Sequence, residues 1–173
     1  DGGKDMTDGP THDEPESHLE GLGEQFLSGI QCIQKGDVDS AAENFQRILN
    51  VEPRLAEPRI ELARILLQTN QPKEAAAELR VAIRILEAKG LWLDTLPEEQ
   101  VKSIAFGLLG ESLRCLAESD AVVFGDPEAW RAIVDEAHAA FKKARELDPN
   151  NSHADYWAGG FDVDAGGDDG ASD

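Results

Sequence analysis

The chain has 173 residues, of which 40% are hydrophobic and 6% aromatic, and its formal net charge is −19. Ala and Leu are the main apolar residues, which is typical of a helical protein. A nucleic-acid partner is not expected, because no stripe of basic residues could neutralise phosphates. Membrane insertion is not expected either, because no apolar run reaches the roughly 18 residues of a spanning helix.

The acidic charge is concentrated at the two ends of the chain. Residues 1–20 and residues 154–173 each carry a net charge of −6, which leaves −7 for the residues between them. Residues 1–18 contain almost nothing to bury, so they are predicted to form a disordered acidic tail. Residues 161–173 are predicted to form a second disordered acidic tail. A folded domain is therefore expected over residues 19–160.

Two segments that lie 34 residues apart match each other without a gap. Ala41 aligns with Ala75, and Phe45 aligns with Leu79. A turn residue precedes each segment, and apolar residues at helical spacing lie on both sides of the turn. This self-similarity predicts two consecutive helix–turn–helix units rather than an unpatterned helical bundle.

A third copy of the pattern is split by an insertion. Its halves lie 15 residues further apart than in the first copy, which predicts longer helices around an inserted loop at residues 118–127. Val122, Val123 and Phe124 are expected to close this loop in part. Asp126 and the proline that follows it are expected to restart the helix.

The linker between the second and third units is predicted from its turn residues. The preceding helix is expected to end at Lys89, with Gly90 as the residue that follows it. Residues 91–97 then form an apolar linker. Thr95 is the expected N-cap of the next helix, and Pro97 is its expected first-turn proline.

These segments resemble the tetratricopeptide repeat, a family of 34-residue helix–turn–helix units. Its pattern has small residues where the two helices cross and a large apolar residue beside them. The matches are Gly29, Ala41, Phe45 and Pro53 in the first unit; Leu62, Ala63, Ala75, Leu79 and Ala82 in the second; and Leu109, Gly110, Ala137, Phe141, Ala144 and Pro149 in the third. Ser28, Ile48 and Glu87 depart from it.

The resemblance implies an all-α fold, an alpha-alpha superhelix or solenoid of about three units. The units are expected at residues 22–55, 56–89 and 103–151, with the insertion in the third. A partial fourth helix at residues 152–160 would form a short C-terminal cap.

The resemblance also implies a concave groove, lined by the first helix of each unit, that binds a peptide or a partner helix. One subclass of the family grips C-terminal carboxylates of chaperones with Lys and Asn. Phe26 and Ile30 stand at those two positions here, so this activity is not expected. The candidate groove residues are Phe26, Ile30, Ile33, Gln34, Ile60, Arg64, Leu67, Gln68, Gly107, Glu111 and Arg114. A competing interpretation is that Phe26, Ile30 and Ile33 are covered internally by Leu19, Leu22 or residues 91–96.

The residues with reactive side chains form no recognisable catalytic or ligand-binding pattern. The sequence has no nucleophile arrangement, phosphate-binding loop or metal-ligand spacing, so no catalytic residue, cofactor or metal is expected. His138 is expected to be a half-exposed helix residue. Cys32 and Cys115 both fall within apolar helical patterns and are expected to be buried free thiols.

The functional expectation is a non-enzymatic protein-interaction module, an adaptor or scaffold whose protein or peptide partner the sequence does not identify. The alternatives are a self-associating structural subunit and the docking or regulatory domain of a longer protein. A cytoplasmic location is slightly favoured. A periplasmic or secreted location is left open because the sequence lacks an initiator Met.

Overall fold

A computed structural model describes residues 14–151, with side chains from residue 19 onward, and all regular secondary structure in this part of the chain is α-helical. The helices are α1 (Glu14–Gln34), α2 (Val38–Val51), α3 (Ala56–Gln68), α4 (Pro72–Lys89), α5 (Glu98–Ala117), α6 (Asp120–Val123) and α7 (Pro127–Leu147). The predicted all-α class is confirmed.

Three helix pairs stack in chain order. The pairs are α1 with α2, α3 with α4, and α5 with α7, while the short α6 lies in the insertion of the third pair. Between the pairs, α2 packs against α3 and α4 packs against α5, and α3 also contacts α5. Each pair therefore covers the apolar face of its neighbour, which is the arrangement of a helical-repeat solenoid.

The first two units turn in the same way at positions 34 residues apart. Gly36 has a φ of +81° and Asn70 a φ of +58°, the left-handed conformation that commonly closes a helix C-terminus. The Asp37 N–H donates back to the Cys32 carbonyl at 2.9 Å, and the equivalent bond from the Gln71 N–H is 2.8 Å. The predicted turn residues therefore perform the same task in both units.

Small and large residues pair where the two helices of a unit cross. A Cβ atom on Gly29 would lie 2.6 Å from the Phe45 ring, and one on Gly110 would lie 2.7 Å from the Phe141 ring. Phe45, Leu79 and Phe141 each expose 0% of their surface. These equivalent environments confirm the repeat register, because close packing at each crossing requires the small residue to face the large one.

A buried serine links the two helices of the last pair and the residues that follow them. The Ser103 hydroxyl, on α5, donates to the Ala144 carbonyl near the end of α7 at 2.7 Å. The same hydroxyl accepts from the Asn151 side-chain amide at 2.9 Å. The chain that leaves α7 is thereby fixed beside the first half of α5.

The N-terminal boundary differs from the prediction. Helix α1 begins at Glu14 rather than near residue 19, so residues 14–18 of the predicted disordered tail are helical. Pro15 lies in the first turn, where a proline ring fits a helix without loss of a hydrogen bond. The rest of that tail, the predicted cap at residues 152–160 and the tail at residues 161–173 lie outside the described residues.

The insertion in the third unit also differs from the prediction. It contains the single-turn helix α6, and Phe124 is 84% exposed and Val123 50% exposed, so neither residue closes the loop. Trp130 covers the end of α5 instead, since its indole N–H donates to the Ala117 carbonyl at 3.1 Å. Asp126 caps α7 as predicted, with its carboxylate accepting from the Glu128 N–H at 3.1 Å.

The start of α5 corrects a third local prediction. Helix α4 ends at Lys89, before Gly90, as predicted. The N-cap of α5 is Pro97 rather than Thr95, and no side-chain hydrogen bond caps this helix. The Pro97 carbonyl accepts from the Val101 N–H at 3.1 Å. The first turn is therefore closed through the backbone, without a side-chain cap.

Candidate binding groove

The linker at residues 91–96 folds back over the first two units. The Trp92 ring meets Phe26 of α1 edge-on, with centroids 5.7 Å apart and ring planes at 82°. Phe26 in turn packs against Phe45, with centroids 5.4 Å apart. Phe26 is thus enclosed between α2 and the linker, which is the internal cover that the competing interpretation expected from this segment.

A buried carboxylate holds the linker in place. Glu57, in the first turn of α3, accepts from the Leu93 N–H at 2.6 Å and from the Trp92 N–H at 3.0 Å. Only 8% of Glu57 is exposed. Hydrogen bonds to an ionised acceptor are stronger than neutral ones, and an acid near a helix N-terminus also benefits from the helix dipole.

Beneath the linker lies a cavity of about 220 Å³, the α1–α3 cavity. Its walls come from α1, α3, the linker and the start of α5. The lining residues are Phe26, Ile30, Glu57, Ile60, Glu61, Arg64, Leu93, Thr95, Leu96, Val101 and Ile104. The linker therefore narrows the end of the groove that the sequence had assigned to the first unit.

A larger cavity of about 480 Å³, the α3–α5 cavity, lies between the first helices of the second and third units. Its lining residues are Arg64, Leu67, Gln68, Ile104, Gly107, Leu108, Glu111 and Asn151. Leu67, Ile104 and Leu108 supply an apolar floor, and Arg64 lines both cavities. This volume falls in the range of cavities that bind ligands in proteins.

The structure divides the predicted groove residues into three groups. Five line the α3–α5 cavity: Arg64, Leu67, Gln68, Gly107 and Glu111. Phe26, Ile30 and Ile60 line the α1–α3 cavity, and Phe26 and Ile60 are buried there. Ile33, Gln34 and Arg114 line neither cavity, and Ile33 packs against the core of the first unit. Phe26, Ile33 and Ile60 are therefore largely core residues rather than an open surface.

Three lining residues of the α3–α5 cavity are not among the groove residues predicted from the sequence. Ile104 lies three residues before Gly107 on α5, and Leu108 lies four residues after Ile104, so helical spacing could have included both. Asn151 could not have been found in this way, because its position depends on the hydrogen bond to Ser103.

Arg64 is the cation shared by the two cavities. Its Nε lies 3.5 Å from a carboxylate oxygen of Glu61, and 43% of its side chain is exposed. Arg114, further along α5, pairs with Glu118 at 2.7 Å. An arginine beside an apolar floor suits a ligand that combines an apolar side chain with a carboxylate.

Glu61 is expected to make the folded state less stable at neutral pH than a neutral amide would. Burial raises the pKa of its carboxyl above the ordinary value, and Arg64 offsets this only in part. The folded chain thus binds the proton of the Glu61 carboxyl more tightly than the unfolded chain does. The ionised carboxylate therefore lowers the free energy of unfolding at pH values above the raised pKa, and this loss of stability is relieved as the pH falls through that pKa. Glu61→Gln is expected to raise the free energy of urea unfolding at pH 7. The gain in free energy of unfolding over the unchanged chain should be smaller at pH 5 than at pH 7. An equal gain at the two pH values would contradict this expectation.

The described residues contain two free cysteines and no candidate metal-binding group. Cys32 and Cys115 are free and half-buried, and burial raises the pKa of the Cys115 thiol, which disfavours the nucleophilic thiolate. Residues 14–151 contain no group of three or more His, Cys, Asp or Glu side chains that could hold a metal ion. Within the same residues, no helix is both long and apolar enough to cross a membrane.

Comparisons with known proteins agree with this architecture. Residues 33–86 match a family model described as tetratricopeptide repeat. No curated protein matches the sequence. The matched stretch contains the turn between the first two helices, all of the second unit up to the last turn of α4, and both Phe45 and Leu79.

Several solved structures share the fold. The first tetratricopeptide domain of Spaghetti (RPAP3), bound to the HSP90 peptide SRMEEVD, is 13% identical; it covers 85% of this chain and 94% of its own, with a TM-score of 0.64. The N-terminal domain of STI-1 from C. elegans is 8% identical, covers 82% and 94%, and has a TM-score of 0.60. The second such domain of human RPAP3, in complex with the HSP70 peptide SGPTIEEVD, is 17% identical, covers 80% and 96%, and has a TM-score of 0.55.

The matched repeats, the stacked helix pairs and the small-to-large pairing at each crossing are consistent with one another. Residues 33–86 match the tetratricopeptide repeat family, and the described helices have the fold of tetratricopeptide domains of solved structure.

Proposed function

We propose that this chain is a non-enzymatic protein-interaction module that binds a polypeptide segment in the α3–α5 cavity. The observation that carries the proposal is the cavity itself, a volume of about 480 Å³ between two first helices. It combines an apolar floor with the side chains of Arg64 and Gln68 at its edge. Grooves of this composition hold an apolar anchor and fix its orientation with a few polar contacts.

The solved structures support peptide binding in general and argue for a different ligand here. Two of them hold chaperone peptides that end in Glu-Glu-Val-Asp. In this chain Phe26 and Ile30 stand where the chaperone-binding subclass has Lys and Asn, and Phe26 is covered by Trp92. We therefore propose that the ligand enters further along the groove, with an apolar side chain on Leu67 and Leu108 and an acidic group at Arg64.

A second candidate function is self-association through the first unit. Leu27 is 60% exposed on α1, the helix that begins the stack, and Leu19 on the same helix is 39% exposed. A terminal repeat needs a polar outer face to remain monomeric. Light scattering of the intact chain distinguishes the two: a dimer that Leu27→Glu dissociates would support self-association, and a monomer would leave the groove as the interaction surface.

The groove proposal is tested with random peptides displayed on phage and selected on the intact chain. Synthetic copies of the selected peptides are then titrated against Arg64→Glu and against Arg84→Glu, the same charge reversal at an exposed position on α4. We expect Arg64→Glu to weaken binding at least tenfold, or about 1.4 kcal/mol, and Arg84→Glu to change it less than twofold. Equal effects of the two variants, at unchanged melting temperatures, would contradict the proposal.

A further inference from the structure

We infer that the chain's own C-terminal segment, residues 152–173, occupies the α3–α5 cavity and competes there with the partner. That the segment occupies the cavity follows from the position of Asn151 and from the aromatic and acidic residues of the segment. The competition, in contrast, rests on the proposed function of the same cavity.

The described part of the chain ends beside the α3–α5 cavity. Asn151, the last described residue, lines the α3–α5 cavity, and its side-chain amide donates to the Ser103 hydroxyl at 2.9 Å. The α5 wall of the cavity runs from Ile104 to Glu111, about 10 Å at the helical rise. Six extended residues reach about 20 Å. The first residues of the segment are thus long enough to span the cavity.

The segment 152–173 carries aromatic residues that could fill an apolar cavity. Tyr156, Trp157 and Phe161 lie within its first ten residues, and Tyr156 is the single tyrosine of the chain. Aromatic side chains bury more area than other residues and find few partners in an acidic tail. Asn151, the last described residue, lines the same cavity as the apolar side chains of Leu67, Ile104 and Leu108.

The charge of the segment is opposite to that of Arg64. Residues 152–173 contain six Asp and no Lys or Arg. Arg64, whose side chain is 43% exposed, lines the cavity together with Glu111. A short tether makes the local concentration of the segment about millimolar, so even a weak attraction is enough to populate the docked state. The partner then meets a cavity that is already occupied for part of the time.

The occupancy is tested by nuclear magnetic resonance of the intact, ¹⁵N-labelled chain. The variant Tyr156→Ser/Trp157→Ser removes the two aromatic anchors, and Phe124→Ser is the matched control at an exposed aromatic residue that lines no described cavity. We expect the double variant to move the amide signals of Gln68 and Gly107, and the control to leave them in place. Shifts limited to α7 and to the segment itself would overturn the inference, because they would place it outside the cavity.

A spin label provides a second readout that does not depend on loss of an interaction. With Cys32→Ser and Cys115→Ser in place, Trp157→Cys carries the label, and paramagnetic broadening reports which helices it approaches. Docking predicts broadened signals on both α3 and α5. Broadening on α5 and α7 with α3 unaffected would contradict docking in the cavity.

The regulatory consequence is measured with the phage-selected peptides. If the segment occupies the cavity for a fraction of the time, the apparent dissociation constant rises as the free fraction falls. We expect Tyr156→Ser/Trp157→Ser to tighten peptide binding several-fold, and Phe124→Ser to leave it unchanged. Shifted Gln68 and Gly107 signals without any selected peptide would support the occupancy and contradict the proposed function. Selected peptides that bind both chains equally would support the proposed function and overturn the competition.

Discussion

Replacement of Gly110 by leucine is expected to lower the free energy of unfolding by about 3 kcal/mol, the upper end of the usual cost of overpacking. The Cβ atom alone would lie 2.7 Å from two atoms of the Phe141 ring and 2.8 Å from a third. Phe141 has no exposed surface, so the ring has nowhere to move. The helix pair α5–α7 would have to separate. Urea unfolding followed by circular dichroism measures the change.

The control for this prediction is the same substitution at Gly23 on α1, where no atom lies within 4 Å of the Cβ position. Gly23→Leu is expected to stabilise the chain by about 0.5–1 kcal/mol, because glycine is unfavourable inside a helix. A double-mutant cycle adds a second check: Phe141→Ala should cost less in the Gly110→Leu background than alone. Additive effects would mean that the two residues do not face each other.

Removal of the Glu57 carboxylate is the second change with a large expected effect. Glu57→Ala leaves the N–H groups of Trp92 and Leu93 without the acceptor they have now. Loss of charge-assisted hydrogen bonds at a buried site is expected to cost about 2–4 kcal/mol in the free energy of unfolding. The linker should also loosen, so that Trp92 becomes more accessible to the fluorescence quencher acrylamide.

Glu43→Ala is the matched control, because Glu43 is exposed and its ion pair with Arg47 has a distance of 3.7 Å. Such surface pairs contribute little, and we expect a change below about 0.5 kcal/mol. If Glu57→Ala behaved like this control in both stability and Trp92 quenching, the linker would not be held by Glu57.

The repeat could be predicted from sequence because its determinants are local and recur. A small residue faces a large one where the two helices of a unit cross, as in Gly29 with Phe45 and Gly110 with Phe141. The repeat places these residues at equivalent positions of the units. The left-handed turn residue that aligns with Gly36 is Asn70, one of the few residue types other than glycine that tolerate this conformation. Position along the repeat was therefore enough to assign these environments.

The groove could be predicted only in part, because its shape depends on contacts between distant segments. The Leu93 N–H donates a hydrogen bond to Glu57, which lies 36 positions earlier in the sequence. No local sequence pattern predicts a contact between residues so far apart. Once it forms, Trp92 covers Phe26 and closes the end of the groove that the repeat register had assigned to a partner. Five residues toward the other end were predicted because α3 and α5 keep the family's arrangement: Arg64, Leu67, Gln68, Gly107 and Glu111.

The insertion shows the same limit. Its apolar residues were expected to cover the loop, but α6 turns Val123 and Phe124 toward solvent. The length of the insertion was visible in the sequence, whereas the direction of a single helical turn depends on packing that the repeat pattern does not specify.

A crystal structure of the intact chain with a phage-selected peptide would show directly where the peptide binds. The account predicts three stacked helix pairs and peptide density between α3 and α5, with an apolar side chain against Leu67 and Leu108 and an acidic group within hydrogen-bonding distance of Arg64. Peptide bound on the outer helices α2 and α4, or on the exposed Phe124, would contradict it.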